Sequence, residues 1–436
     1  METILILGIT VILVLVALAP YLRLQRERTR RTEQKLKEAH EFGLHEPVSL
    51  HPKVDPATCI GTGACIIACP EKDILCFKDG KAVLVNASRC VGHGACAQAC
   101  PVNAITLVFG TEKRGVDIPY ITEYFETNVE GMYIVGELGG MGLIKNAITQ
   151  GREAVAYITE RLSRSSSNGV RDLVVVGAGP AGISASLAAL EAKLNFVAVE
   201  QEEDLGGTVL HYPRNKIVMT SPAVLPMYGT VKLREVRKEA LLELWHKVIK
   251  YTGLQIQMKE KVIDIKKEDD IFHVTTTKGI HQSKFVVLAI GRRGTPRKLG
   301  VPGEQLPKVT YRLLEPEQHQ QQHLLVVGGG DSAVEAAIAL CSQQGNTVTL
   351  SYRGNAFSRI KQKNKERIDE LAAQNAVNIL YNSNVKEITE THVRIDQQGN
   401  MIELPNDYVY IFAGGELPNE FLQKIGVRIE KKFGTR

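Results

Sequence analysis

This chain has little excess of either charge over the other, and little cysteine over most of its length. The 436 residues carry 53 Lys/Arg and 48 Asp/Glu. Seven of the basic residues and two acids, Glu27 and Glu33, lie in 23–37; outside that stretch the two signs balance. No broad basic face is available, which excludes a general nucleic-acid binder. Of eight cysteines, seven fall between Cys59 and Cys100, and only Cys341 stands apart. A secreted disulfide scaffold spreads its cysteines through a small domain. Their crowding here reads instead as metal or cluster ligation in a reducing compartment, with Cys341 as a core thiol. Compositional bias is also missing. Hydrophobic residues at 44% and charged residues at 23% exclude a wholly disordered or fibrous chain. The length suits two or three domains.

From Thr3 to Leu22 there is no charge at all. Twenty such residues, as a helix, reach about 30 Å, the thickness of a bilayer's hydrocarbon core. A cleaved signal peptide would carry basic residues ahead of the apolar run. Here Met1 and Glu2 precede it, while Arg23, Arg26, Arg28, Arg30 and Arg31 follow. The expectation is one spanning anchor over 1–22, with the bulk of the chain cytoplasmic by the positive-inside rule. Residues 23–52 are expected to form a charged stalk or solvated helix, broken before the next module by Pro47, Pro52 and Pro56.

Two segments repeat one another: CIGTGACIIACP from Cys59 and CVGHGACAQACP from Cys90. Each follows the frame C-x5-C-x3-C-P, and residues 53–109 resemble the two-cluster ferredoxin domain, whose run is C-x2-C-x2-C-x3-C-P. Soft thiolates suit iron–sulfur clusters, and Gly61, Gly63, Gly92 and Gly94 let the backbone wrap closely. Thr62 and His93 occupy the position of the missing second cysteine. The crossed ligation of the resembled domain would assign Cys59, Cys65 and Cys100 to one cluster, and Cys90, Cys96 and Cys69 to the other. Two clusters are expected, of four irons or three. His93 is a candidate ligand or a hydrogen-bond partner of a cluster sulfur, and Cys76 a candidate rescue ligand. Zinc, which favours paired knuckles with four ligands, is one rival; a ferredoxin fold that has lost its clusters is the other, and six framed cysteines count against it.

Residues 172–182, DLVVVGAGPAG, run an apolar strand into Gly177-x-Gly179-Pro180-Ala181-Gly182. A helical run follows, then the strand NFVAVE ending at Glu200. Strand, glycines, helix, strand and acid in this order read as a dinucleotide fold, with pyrophosphate at the helix start and Glu200 accepting from ribose hydroxyls. The pattern returns at 323–333 with Gly328-x-Gly330-x-x-Ala333. Its second strand ends without an acid, in Ser351, Tyr352 and Arg353, with Arg359, Lys361 and Lys363 beyond. Arginine in place of the acid favours NADP over NAD; Lys361 and Lys363 read as a solvated helix face.

Two such folds resemble the FAD- and NAD(P)-dependent pyridine nucleotide-disulfide oxidoreductases, particularly the thioredoxin-reductase-like branch, over about 110–436. The resemblance adds Gly206, Gly207, Gly291 and the FAGGELPN segment around Gly414, Gly415 and Pro418. Two departures matter. No C-x-x-C lies outside the ferredoxin-like module, which removes an internal dithiol. The family's closing segment, whose acid contacts the flavin's ribityl chain, is matched not at the C-terminus but by Thr127–Glu137, with Gly136 and Glu137 at its end. That order suggests a circular permutation with 163–169 as linker.

The expected fold is α/β: two Rossmann-like domains, a small α+β dicluster ferredoxin-like domain and an N-terminal transmembrane helix. After the stalk and ferredoxin-like module come a permuted closing segment (110–162), an FAD domain (170–295), an NAD(P) domain (296–412) and a return to the FAD domain (413–436). The function this implies is a membrane-anchored, FAD-dependent NAD(P)H oxidoreductase that passes electrons between nicotinamide, flavin and clusters. Its partner would be an electron-transfer protein or a small-molecule acceptor, and no side-chain nucleophile or general base is required. The alternatives are a disulfide reductase acting on an external dithiol partner, and a membrane-tethered redox sensor or electron-transfer scaffold.

Overall fold

The computed structural model describes the chain apart from residues 1, 42–43, 48–49, 72, 91, 112–114, 141, 163–168, 213, 215, 220–221, 233–234, 293–295, 358–359, 416–417 and 435–436. The side chains of 2–13, 15, 17, 21, 219 and 362 are likewise outside the description. The chain divides into two compact units, one of residues 1–116 with 432–436, the other of 117–431.

The first unit opens with α1 (Glu2–Glu41), one helix of 40 residues. The span expected over 3–22 falls largely on side chains outside the described residues. Among the described residues no helix is long and apolar enough to cross a membrane. Beyond α1 come β1 (His51–Val54), α2 (Ala64–Ala68), β2 (Leu75–Lys78), β3 (Lys81–Leu84), α3 (Ala95–Gln98) and β4 (Ile105–Val108). β1 pairs antiparallel with β4, and β2 with β3. Each cysteine repeat thus yields a short helix and then a strand, and the two halves interleave around one interior.

The stalk is not solvated along its length. Leu36 and Ala39 of α1 pack with Cys76, Val83 and Val85. Lys35 pairs with Asp73, Glu33 with Lys78, and the Thr29 hydroxyl accepts from the Asp79 N–H at 3.1 Å. Mixed charges three and four apart fit a solvated face equally well; the small Ala39, fully buried, is what lets the hairpin close on the helix.

In the second unit, β5 (Met132–Ile134), α4 (Ile144–Arg161), β6 (Arg171–Val176), α5 (Pro180–Glu191), β7 (Phe196–Val199), α6 (Lys238–Thr252), β8 (Val262–Glu268), β9 (Ile271–Thr276) and β10 (Gly279–Leu288) build the first module. Its sheet runs β8-β9-β10-β6-β7. β10 pairs antiparallel with β9 through its first half; where β9 leaves that edge, β5 takes it over in parallel register from Val286 to Leu288. Alternation then assigns the faces. Met132, Ile134, Val174, Val176, Val286 and Leu288 point one way, where Leu422, Ile425 and Val427 cover them. Tyr133, Leu173, Val175 and Val287 point the other way, against α4 and α5. The stretch before the first glycine turn and the stretch near the C-terminus therefore both complete this sheet. In the first unit, the Gly434 N–H donates to the Phe109 carbonyl at 2.8 Å.

The second module has β11 (Val309–Thr310), β12 (His323–Val327), α7 (Asp331–Cys341), β13 (Thr347–Tyr352), α8 (Gln362–Ala373), β14 (Val377–Tyr381) and β18 (Tyr408–Ile411), with an antiparallel meander β15 (Ser383–Ile388), β16 (His392–Gln397) and β17 (Asn400–Pro405) between the last two. The sheet order β11-β18-β12-β13-β14 is parallel throughout. Its apolar strands are buried on both faces, as parallel sheets require.

Candidate cofactor sites

At the end of β6 the chain turns through Gly177 at φ +106°. A Cβ on Gly182 would stand 1.8 Å from the Gly177 carbonyl oxygen, so only glycine lets α5 start this close to the strand. Gly206 and Gly207 come to the same turn from further along the chain. The Gly206 N–H donates to the Ala178 carbonyl at 3.0 Å, and a Cβ on Gly207 would meet the Gly179 Cα at 3.0 Å. Glu200 is buried with its carboxylate already committed on two sides. Oε2 accepts from the Ala178 N–H at 2.6 Å and Oε1 from the Glu202 N–H at 3.0 Å. Each oxygen keeps a lone pair for a ribose hydroxyl.

Gly136 and Glu137 arrive from the β5 end. A Cβ on Gly136 would lie 3.0 Å from the Ala181 Cβ, beside Pro180 at the first turn of α5. The Gly136 N–H is held by the buried Gln150 Oε1 at 2.8 Å. Burial lowers the Arg292 guanidinium and the Glu137 carboxylate opposes that shift, so the two charges are neighbours. Gly291, at φ +67°, lies next to the Thr208 hydroxyl. These residues could hold an FAD: amides for the pyrophosphate, Glu200 for one ribose, Glu137 at the far end. Gln150, Gly151 and Arg292 were not read from the sequence. Gly151 carries the clearest signal, a glycine in the interior of an amphipathic helix; its Cβ would stand 2.2 Å from the Ala181 carbonyl oxygen, which sets the α4–α5 crossing.

The second turn repeats the first. Gly328 has φ +146°, and a Cβ there would meet the Phe412 carbonyl oxygen at 2.5 Å and the Ala333 Cβ at 3.0 Å. Ala333 plays the part of Gly182, and Gly330 caps α7 with open space around it. Gly329 is explained only in three dimensions: its Cβ would fall 2.1 Å from the Tyr352 ring. Arg353 follows on the surface, free to meet a 2′-phosphate. Arg359 lies outside the described residues. Lys361 and Lys363 are exposed, although the Lys361 N–H donates to Asp331 Oδ1 at 2.8 Å. Lys216 of the first module pairs with Glu335 of α7 at 2.8 Å.

In the first unit all six framed cysteines share one interior. They fall into two trios. Cys65 lies close to Cys59 and Cys100, and these three line one recess together with Thr62. Cys96 lies close to Cys90 and Cys69 in the same way. Burial pushes the Cys65, Cys69 and Cys90 thiols up, and Cys96 to about 11. The Ala104 N–H points at Cys100 Sγ at 3.2 Å, the kind of donor that stabilises a ligated sulfur. Cys76 belongs elsewhere, against α1. Among the described residues no three His, Cys, Asp or Glu side chains are gathered tightly enough to hold a single metal ion. Soft thiolates in groups of three are the donor set that could hold three corners of an iron–sulfur cluster.

Two dinucleotide turns in one unit, and a cysteine-rich unit on the same chain, define a flavin-dependent pyridine-nucleotide oxidoreductase with an iron–sulfur domain. The chain belongs to the pyridine nucleotide-disulphide oxidoreductases, whose family profile matches residues 174–434, and a 4Fe-4S dicluster domain profile matches 51–101. It is 28% identical over 267 residues to Bacilliredoxin reductase Bdr of Bacillus subtilis (strain 168), covering 60% of this chain and 82% of that protein. It is 30% identical over 271 residues to the Ferredoxin--NADP reductase of Ignicoccus hospitalis, covering 60% and 83%. Among solved structures, the bacillithiol disulfide reductase Bdr from Staphylococcus aureus superposes with a TM-score of 0.55 at 28% identity, covering 59% of this chain and 81% of that one.

Proposed function

We propose that this enzyme oxidises NADPH and delivers the electrons into its own iron–sulfur module, and from there to an acceptor protein or small molecule at a membrane. The observation that carries the reading is the union of a reductase and a dicluster domain in one chain; one relative's name pairs such a reductase with a ferredoxin. When bound, FAD and the clusters supply the exchange between two-electron and one-electron chemistry. The chain's share is to hold and orient. For FAD, Gly177, Gly179, Pro180, Ala181, Gly182, Gly206 and Gly207 form the pyrophosphate cradle. Glu200 takes the ribose, and Gly136, Glu137 and Gly291 close the far end. For NADP, Gly328, Gly330 and Ala333 form the turn and Arg353 meets the 2′-phosphate. For the clusters the ligands are Cys59, Cys65 and Cys100, and Cys69, Cys90 and Cys96.

Anaerobic addition of NADPH, followed by visible absorbance and paramagnetic resonance, tests this. The flavin band should bleach and reduced-cluster signals should follow; bleaching with permanently oxidised clusters would end the proposal. The anchor over 1–22 rests on the uncharged run and its Arg-rich flank. Alkaline extraction of membranes should leave the full chain in the pellet and release a chain lacking residues 2–22.

A second reading, reduction of an external disulfide, draws on the likeness to Bacilliredoxin reductase. Residues 117–431 contain a single cysteine, Cys341, so the dithiol would have to come from the partner. NADPH oxidation that needs an added disulfide protein, and leaves the clusters oxidised, would favour it.

A further inference from the structure

The two cysteine repeats are built alike but not completed alike. Gly61 and Gly63 both have φ +74°, and Gly92 and Gly94 have φ +77° and +76°. Gly63 and Gly94 each cap the short helix that carries the next cysteine. The backbone therefore offers Thr62 and His93 at the same station of the same turn. In the first repeat that station borders the recess formed by Cys59, Cys65 and Cys100, where the exposed Thr62 takes part in the lining and its hydroxyl accepts from the Ala64 N–H at 3.4 Å. In the second repeat the half-buried His93 holds the equivalent station, directly before the Gly94 that caps the helix carrying Cys96. Cys76, the one other thiol in the unit, faces Leu36 and Ala39 of α1 and is shared by neither trio.

We infer that the two sites hold unlike clusters: a three-iron cluster on Cys59, Cys65 and Cys100, and a four-iron cluster on Cys90, Cys96, Cys69 and His93. The inference rests on the cluster-binding reading above. A threonine hydroxyl is a hard, neutral oxygen that stays protonated, a poor match for the iron that three thiolates leave over. The fourth corner beside Thr62 therefore stays vacant. Imidazole is a competent iron ligand, and exchanging an anionic thiolate for a neutral ring removes negative charge from the site. Reduction adds negative charge, so the His93 cluster accepts an electron more readily than an all-thiolate one.

The test uses the full chain, isolated anaerobically, with iron and inorganic sulfide measured together. The parent protein should hold one iron fewer than sulfide per chain, and its oxidised form should show the paramagnetic signal of a three-iron cluster. Thr62→Cys, close in size, should restore parity and abolish that signal. His93→Cys should keep the iron content and lower the potential of one cluster; His93→Ala should cost a further iron. Parity in the parent with a silent oxidised spectrum would overturn the inference while leaving the cluster reading intact. So would a Thr62→Cys protein indistinguishable from the parent. Unchanged iron and unchanged potential in both His93 variants would remove the imidazole from the coordination sphere. A chain that takes up neither iron nor sulfide in any variant would overturn the cluster reading itself.

Discussion

Replacing Glu200 by glutamine changes no volume and removes one charge, which makes it a clean probe of the first dinucleotide turn. The side chain is 6% exposed, and its backbone is fixed on both sides, the Glu200 N–H donating to the Gln257 carbonyl and the Glu200 carbonyl accepting from Glu260. The headgroup therefore cannot swing away. In the parent, both carboxylate oxygens accept from backbone N–H groups, one inside the turn at Ala178 and one at Glu202. An amide has a single accepting oxygen, so one N–H must face an NH2 group. A buried donor left unpaired costs about 1–3 kcal/mol, and a lost charge-assisted bond lies at the upper end of that range. The same substitution deprives a ribose hydroxyl of an anionic acceptor. The Kd for FAD should therefore rise about 10- to 100-fold. Flavin fluorescence titration of apoprotein measures it, with thermal unfolding by circular dichroism as a control for the fold. NADPH binding, if it uses the separate Gly328–Ala333 turn as proposed, should be unaffected. An FAD affinity within about twofold of the parent would refute the argument that this carboxylate both braces the turn and faces the cofactor.

Other consequences can be checked independently. Arg353→Ala should raise the KM for NADPH about 10- to 100-fold and leave that for NADH unchanged, because only the 2′-phosphate is lost as a partner; equal losses would assign the residue to the pyrophosphate or the fold. Gly151→Ala should destabilise by about 1–3 kcal/mol in urea unfolding despite alanine's better helix propensity, since the methyl would stand 2.2 Å from the Ala181 oxygen; a stabilised variant would mean that α4 and α5 do not cross there. A chain rewired to begin at 170 and to run from 434 directly into 110 should still fold and bind FAD, as expected if the present order is a permutation; failure of the purified monomer to bind flavin would count against it. Burial raises the Glu260 carboxyl, but the Thr276 hydroxyl, His281 and Lys278 outweigh it, so the folded value lies below 4.5. A depressed carboxylate stabilises above the unfolded value and loses that contribution as pH falls through the folded one. Acid unfolding of Glu260→Gln should thus show a shallower pH dependence below about pH 5, and an unchanged slope would contradict it.

Features that depend on local order along the chain could be read from the residues alone. Glycine spacing with strand and helix on either side announces a dinucleotide turn because only glycine tolerates both the φ of Gly177 and the helix contact at Gly182, and both constraints are local. The cysteine frame was legible for the same reason, since a stretch of a dozen residues carries three cysteines in fixed spacing. The face each strand buries follows from its two-residue period. What the sequence could not decide was anything that joins distant segments. That β5 completes the sheet at the edge β9 vacates, that Gln150 holds the Gly136 N–H, and that Tyr352 forbids a side chain at Gly329 are all contacts between elements with no periodic signature. The same holds for α1, whose alternating charges permit either water or the β2–β3 hairpin as a neighbour. The choice is made by the shape of a small buried surface at Ala39, and shape complementarity exists only once both surfaces are folded.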